Sequence, residues 1–168
     1  MDIVIRQVDS AEYEDLGEIT AQAYLQDGLL DFGHSDEYLG ELRDVAKRAA
    51  AAEVLVAVRN GRVVGGVTLV PTGGPLADIA GPGEAEIRML AVSREARGQG
   101  AGEALVRACI DRARATAGCV RIVLSTQRTM HGAHRIYERL GFVRTPDRDW
   151  NPIPQLSDIT LLTYELTL

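Results

Sequence analysis

The run Arg97-Gly98-Gln99-Gly100-Ala101-Gly102 constrains this chain more than any other stretch, because of what lies on either side of it. Before it, residues 85–92 (Ala-Glu-Ile-Arg-Met-Leu-Ala-Val) form an apolar run with the length and bounds of a strand. After it, Leu105, Val106, Cys109, Ile110 and Ala113 fall on one stripe at helical spacing, with Glu103, Arg107, Asp111 and Arg114 facing away. A strand therefore feeds a glycine-rich turn whose last residues become the first turn of a helix. Such a turn exposes unpaired backbone N–H groups at the positive end of a helix dipole, which is a site for an anion such as phosphate. Three glycines let the main chain approach that anion with no side chains in the way.

Two common glycine fingerprints do not fit. A P-loop ends in Gly-Lys-Ser/Thr, whereas Gly102 is followed by Glu103 and Ala104. The dinucleotide fingerprint, counted from Gly98, needs Gly or Ala at its sixth place, which holds Glu103. The pattern Arg/Gln-x-x-Gly-x-Gly/Ala does fit, through Arg97, Gly100 and Gly102. Downstream, residues 121–125 read as the next strand, and His131-x-Ala133-x-x-x-Tyr137-x-x-x-Gly141-Phe142 follows. In this order the two motifs resemble the signatures of the GNAT superfamily of N-acetyltransferases, with His131 where the family usually has Asn.

The resemblance is specific over residues 85–142 and implies an α/β fold of one domain, residues 1–168. Its central mixed sheet would be mostly antiparallel, flanked by helices, and splayed between the strand ending near Val92 and the one starting near Arg121. It also implies an acetyl-CoA-dependent N-acetyltransferase that moves an acetyl group to a primary amine by direct attack on the thioester, without a metal. The competing reading is a catalytically silent acyl-CoA-binding or regulatory module of the same fold. Retention of Tyr137, Glu86 and the complete loop favours the enzyme.

The rest of the chain agrees in pattern. Residues 1–6 alternate as a first strand, and Asp9 with Glu12 makes a capping-box-like start to a helix carrying Tyr13, Leu16, Thr20, Ala23 and Tyr24 on one face. A second helix over 36–51 would turn Leu39, Leu42, Val45, Ala46 and Ala49 inward. Strands at 53–58 and 62–69 are joined by Asn60-Gly61, a strong hairpin signal. Residues 70–83 are rich in Pro and Gly and read as an exposed loop, 146–157 as a long loop, and 159–168 as a closing strand. The length of 168 residues suits one sizeable core, and no apolar run approaches about 20 residues. A net charge of −6 argues against non-specific nucleic-acid binding. Cys109 and Cys119 are too few for a disulfide scaffold, and three scattered histidines lack metal-ligand spacing. These features suit a soluble, cytoplasmic protein with no membrane or nucleic-acid partner. They leave the oligomeric state open, a homodimer included.

The candidate site residues follow from the resemblance. Arg97, Gly98, Gln99, Gly100, Ala101 and Gly102 would hold the acetyl-CoA pyrophosphate; Leu90, Ala91 and Val92 would bond the pantetheine arm through their backbones. His131 stands where the usual Asn helps bind the coenzyme. Tyr137 is either the general acid for the leaving thiolate or a core tyrosine on the face it shares with Ala133, Ile136 and Leu140. Glu86 is the first candidate for general base and Glu84 the second, although Glu86 and Arg88 share a strand face and can pair instead. His134 reads as a solvated helix residue. Asp31, Phe32 and His34, and the loop residues Asp149, Trp150 and Asn151, are candidates for the acceptor side. The amine itself is not legible.

Overall fold

The computed structural model describes residues 2–30, 33, 36–156 and 159–168. Strand β1 (Val4–Gln7) leads through a 3₁₀ turn (Ser10–Glu12) into helix α1 (Tyr13–Gln26), followed by α2 (Tyr38–Arg43) and α3 (Val45–Ala51). Strands β2 (Glu53–Arg59), β3 (Arg62–Val70) and β4 (Glu84–Val92) precede α4 (Ala101–Arg114). The chain ends with β5 (Arg121–Thr126), α5 (His131–Arg139), β6 (Val143–Arg144) and β7 (Leu162–Thr167). The sheet runs β1-β2-β3-β4-β5-β7-β6 and is antiparallel at every pairing except β4 with β5. This is the mixed, helix-flanked sheet that the sequence implied.

Alternation along the strands decides what covers each face. In β2, Leu55 and Ala57 pack with Leu105, Val106, Cys109 and Ile110 of α4, while Val54 and Val56 pack with Leu16 of α1 and Val45 of α3. Asn60 (φ 54°) and Gly61 (φ 74°) are both left-handed, as a two-residue hairpin turn requires. The Asp9–Glu12 capping box forms, and Glu12 also pairs with Arg6.

The expected helix over 36–51 is two helices. Asp44 (φ −85°, ψ 69°) leaves the helical region, ends α2, and caps α3 by accepting from the Lys47 N–H at 3.1 Å. The break rotates the second half, so Ala46 faces solvent and Arg48 points inward, 4% exposed.

The splay has a local cause. β4 and β5 pair only from Glu84↔Arg121 to Ile87↔Leu124. Immediately beyond, Met89 has φ 55°, unusual for a residue with a side chain, and the register against β3 shifts between Gly66 and Thr68. Two residues of β4, Met89 and Leu90, thus oppose Val67 alone, which is a β-bulge. β5 continues along β7 (Ser125↔Thr163, Thr126↔Leu162), and the edge of β4 facing it is left without a strand partner.

Three alternate residues of β4, Glu84, Glu86 and Arg88, hold the Pro/Gly-rich connection before it. Glu84 accepts from the Gly81 N–H and both terminal nitrogens of Arg148, each at 2.9 Å, and from Arg121 at 2.9 Å. Arg148 also donates to the Ile79 carbonyl at 2.8 Å. The loop is therefore pinned at its C-terminal end. Arg148, the Gly81 N–H and Arg121 outweigh burial and hold the Glu84 carboxyl at about 2. A lowered pKa contributes stability above the unfolded value and loses it as pH falls to the folded one. Glu84→Gln should lower Tm by roughly 5–15 °C at pH 7. The gap to wild type should close between about pH 4.5 and about 2, as thermal melts across that range will read. A gap independent of pH would mean that Glu84 acts by packing alone.

Candidate active site

The parting of β4 from β5 opens a cleft of two chambers, of about 740 and 610 Å³. They share Tyr24, Leu29, Leu90, Thr129 and Met130, so a ligand can run from one into the other.

The glycine loop lines the first chamber. Gly98 (φ 77°) and Gly100 (φ 91°, at the head of α4) are left-handed, and a Cβ on either would meet nothing within 4 Å. Backbone conformation rather than crowding therefore requires glycine there. Gly102 differs, because a Cβ would lie 3.0 Å from Ile136 Cδ1, so it permits close packing of α4 on α5. The N–H groups of Gly98, Gln99 and Gly100 find no acceptor among the described residues. Exposed donors at the start of a 14-residue helix make an anion seat. Ala101 and Gly102 are buried in the first turn, and Leu90, Ala91 and Val92 border the same chamber from the unpaired edge of β4. His131, exposed at the start of α5, lies across from them.

Arg97 has a partner that the sequence did not suggest. Its guanidinium grips Asp27 at the end of α1 by two contacts of 3.1 and 3.0 Å, and its Nε donates to the Val92 carbonyl. The chamber has further positive charge that sequence reasoning missed: Arg135, and Arg139 paired with Glu103 at 2.7 Å. Both follow the family motif at helical spacing from His131, which was the available signal.

Glu86 lines the second chamber and is 1% exposed. Its Oε1 accepts from three successive N–H groups, Asp78, Ile79 and Ala80, at 3.0, 2.8 and 2.9 Å. Its Oε2 has no partner among the described residues. Burial pushes this carboxyl above the usual range against the pull of those donors. The pairing with Arg88 allowed by the sequence does not form. Arg88 instead faces Asp78 at 3.3 Å and donates to the Leu76 carbonyl and the Tyr38 hydroxyl. Glu84 lines neither chamber and is held ionised by its two arginines, so it does not join the site.

Tyr137 is 3% exposed and lines the second chamber, its ring 5.7 Å from Phe142 and 5.8 Å from Tyr164. Burial raises its pKa, so the phenol keeps its proton at neutral pH. It is thus both a core ring and a group at the cleft. His134 is not solvated: it is half-buried, with Nε2 2.9 Å from the Gln127 carbonyl and its ring against Tyr164. Trp150 lines the second chamber, donates to Ser125 Oγ at 2.9 Å and bridges to Leu161. Asp149 faces inward to Arg144 and Thr163, and Asn151 shapes its own loop through Ile153 and Leu156. Asp31, Phe32 and His34 lie outside the described residues. Among the described residues no group of three His, Cys, Asp or Glu could hold a metal ion, and no helix is long and apolar enough to cross a membrane. Tyr24, read from the sequence as a helix-face residue, and Tyr38, which the sequence did not single out, also line the second chamber.

The sequence pattern of the acetyltransferase (GNAT) family matches residues 13–142. N-acetyltransferase 8 of Rattus norvegicus is 32% identical over 109 residues, 65% of this chain and 47% of that protein; the chain thus spans about half of this relative's length. A GNAT-family acetyltransferase of Staphylococcus aureus Mu50 shares the fold with a TM-score of 0.75 at 16% identity, over 99% of each chain. Salmonella typhimurium yncA, solved with its cofactor acetyl-CoA, has a TM-score of 0.74 at 22% identity, over 100% of this chain and 95% of that one. PaiA N-acetyltransferase of Thermoplasma acidophilum, in complex with coenzyme A, has 0.72 at 15% identity, over 100% of both. The family match takes in the glycine loop, the parted strands and the α5 motif together, and the chain belongs to the acetyltransferase (GNAT) family.

Proposed function

We propose that the protein is an acetyl-CoA-dependent N-acetyltransferase whose acceptor is a primary amine that attacks the thioester directly. The observation that carries this reading is the row of acceptor-free N–H groups at Gly98, Gln99 and Gly100, opening onto a chamber continuous with the one that Glu86 and Tyr137 line. The fit to the cosubstrate rests on those donors and on the unpaired strand edge beside them. The loop from Arg97 to Gly102, with His131 close by, holds the pyrophosphate, and Arg97 shares its charge between Asp27 and the anion. The backbones of Leu90, Ala91 and Val92 take the pantetheine amides as an added strand would.

When bound, acetyl-CoA supplies an activated acyl carbon and a thiol leaving group. The backbone N–H at Leu90 or its neighbour donates to the thioester oxygen. An alkylammonium gives up two protons in becoming an amide. The unpartnered oxygen of Glu86 takes the first, directly or through a water, and passes it to solvent. The second replaces the acyl group on sulfur: Tyr137 donates its phenolic proton there and is made whole by the proton that leaves the amide nitrogen. Glu86 sits in a dry wall, where a carboxylate attracts an ammonium strongly.

Three measurements test this reading. Gly100→Glu should abolish the heat of acetyl-CoA binding in calorimetry, since it forces a side chain into a left-handed position and sets a carboxylate against the pyrophosphate. Wild type that shows no heat with acetyl-CoA or CoA would remove the main support. With a working acceptor, Tyr137→Phe should lower kcat by roughly 10²-fold with acetyl-CoA affinity little changed. A fall in Tm with turnover intact would leave Tyr137 a core residue.

The third measurement concerns the base. An alkylamine with a pKa of about 10.4 is overwhelmingly charged at pH 7. Glu86→Gln should therefore cut kcat/KM most near neutrality and recover much of the loss as pH rises from about 6 to about 10 and more substrate arrives neutral. Profiles parallel to wild type would remove Glu86 from the base role.

A further inference from the structure

The second chamber has a guanidinium on the same strand face as its carboxylate. Arg88 projects into it with its side chain 17% exposed. Of the five N–H groups of a guanidinium, one faces Asp78, one is given to the Leu76 carbonyl and one to the Tyr38 hydroxyl. One N–H on each terminal nitrogen has no acceptor among the described residues. Arg48 is 4% exposed and donates to the Glu41 carbonyl, with a buried Nε that has no acceptor among the described residues. Tyr24 and Tyr38 lie within the field of both arginines. Arg88 faces Asp78, itself 37% exposed at the rim, and Asp36 also lines the chamber. A second positive charge on the acceptor would thus meet the Arg88 guanidinium, whereas a negative one would meet its open donors.

Arg88 and Glu86 border the chamber together. The two are alternate residues on one face of β4, about 7 Å apart along the strand. Both line the same chamber, so a molecule that carries an ammonium and a carboxylate can meet Glu86 and Arg88 together. Leu30, Trp150 and Ile153 give the chamber an apolar and aromatic part, beside the charged Asp36 and Arg128 and the polar Gln127.

We propose that the acceptor is an amino acid, or a molecule ending in one, with an apolar side chain: Arg88 receives its carboxylate, Glu86 its ammonium, and the aromatic wall its side chain. This rests on the N-acetyltransferase reading above and narrows it. No chemistry is added to that reaction: the N–C bond forms, the C–S bond breaks, and the protons move as described there. Arg88 acts by binding and orienting the amine.

The test is acetyl-CoA turnover, read as free thiol, for phenylalanine, tryptophan, leucine and methionine, each beside its decarboxylated amine and its carboxamide. The carboxylated member should exceed its decarboxylated partner in kcat/KM by about 10²-fold or more for at least one side chain, with the carboxamide close to the amine. Arg88→Met should shrink that ratio below about threefold, and Arg88→Lys, which keeps the charge but loses the fork, should retain part of it. Acetyl-CoA affinity and circular dichroism confirm that each variant is folded; the wild-type ratio needs no variant at all. If no carboxylated amine exceeds its partner by tenfold, the inference is overturned, whichever amine reacts best or if none does. Loss of acetyl-CoA binding in wild type would instead bring down the underlying reading, and the two failures are told apart by calorimetry on the same preparation.

Discussion

Beyond Ile87 and Leu124, β4 and β5 stop exchanging hydrogen bonds, because Met89 turns β4 through a left-handed residue where the parallel pair would have continued. A positive φ on a residue with a side chain costs about 1–3 kcal/mol. It persists here because the Met89 side chain is buried against Ala21 of α1 and Leu39 and Leu42 of α2, so relaxing the bulge would empty that cluster. The helices on this face therefore do more than cover the sheet: they hold it open. Every other feature of the cleft depends on that opening, from the bare edge of β4 to the way the chambers join at Leu90.

The cost of a Pro/Gly-rich connection next to a binding cleft is conformational freedom, and β4 limits it with charge. Glu84, Glu86 and Arg88 point to the same side and each holds a different part of the 71–83 segment: the Gly81 N–H, the Asp78–Ala80 N–H groups, and the Leu76 carbonyl. Charged residues at alternate places in a buried strand look out of place until the loop's backbone is counted as their partner. The same pinning gives the chamber a fixed wall. Glu86 shows the economy of the arrangement, since one oxygen is saturated by the loop while the other has no partner among the described residues, and the residue lines the second chamber. An anchor and a proposed base can therefore be one residue, and only the free oxygen is available for chemistry.

The fold was legible wherever local pattern and tertiary context agree. The hairpin at Asn60-Gly61, the α4 stripe from Leu105 to Ala113 and the strand before the glycine loop all carried their own signals. The break at Asp44 did not, because the apolar spacing of residues 39–49 continues across it and a capping aspartate inside a helical pattern looks like any surface charge. The expected inward Ala46 and the observed inward Arg48 differ for that reason alone. At the site, residues in contiguous motifs could be found in advance. Partners that meet only through the fold could not: Asp27 with Arg97 is a contact across 70 positions, and Arg88 with Tyr38 one across 50. Sequence alternation put Glu86 and Arg88 on one face correctly and suggested that they pair; the loop, whose backbone offers both of them partners, separated them.

The two kinds of donor in the first chamber also explain why a glycine motif is more informative than the arginine that begins it. Arg97 and Arg139 are already engaged, by Asp27 and Glu103. An incoming anion must compete with those carboxylates, so the net gain from each guanidinium is the difference between two charge-assisted bonds rather than the whole of one. The N–H groups of Gly98, Gln99 and Gly100 have no such rival among the described residues, and their positions are fixed by the left-handed glycines and the first turn of α4 before any ligand arrives. Preorganised, uncommitted donors cost little to use. The ion pairs still serve the seat, since Asp27 and Glu103 keep the guanidiniums extended at its rim and tie the end of α1, the loop and α5 to one another. In this division the backbone would supply the binding of an anion and the arginines supply the frame, and the glycines are required for the first of these.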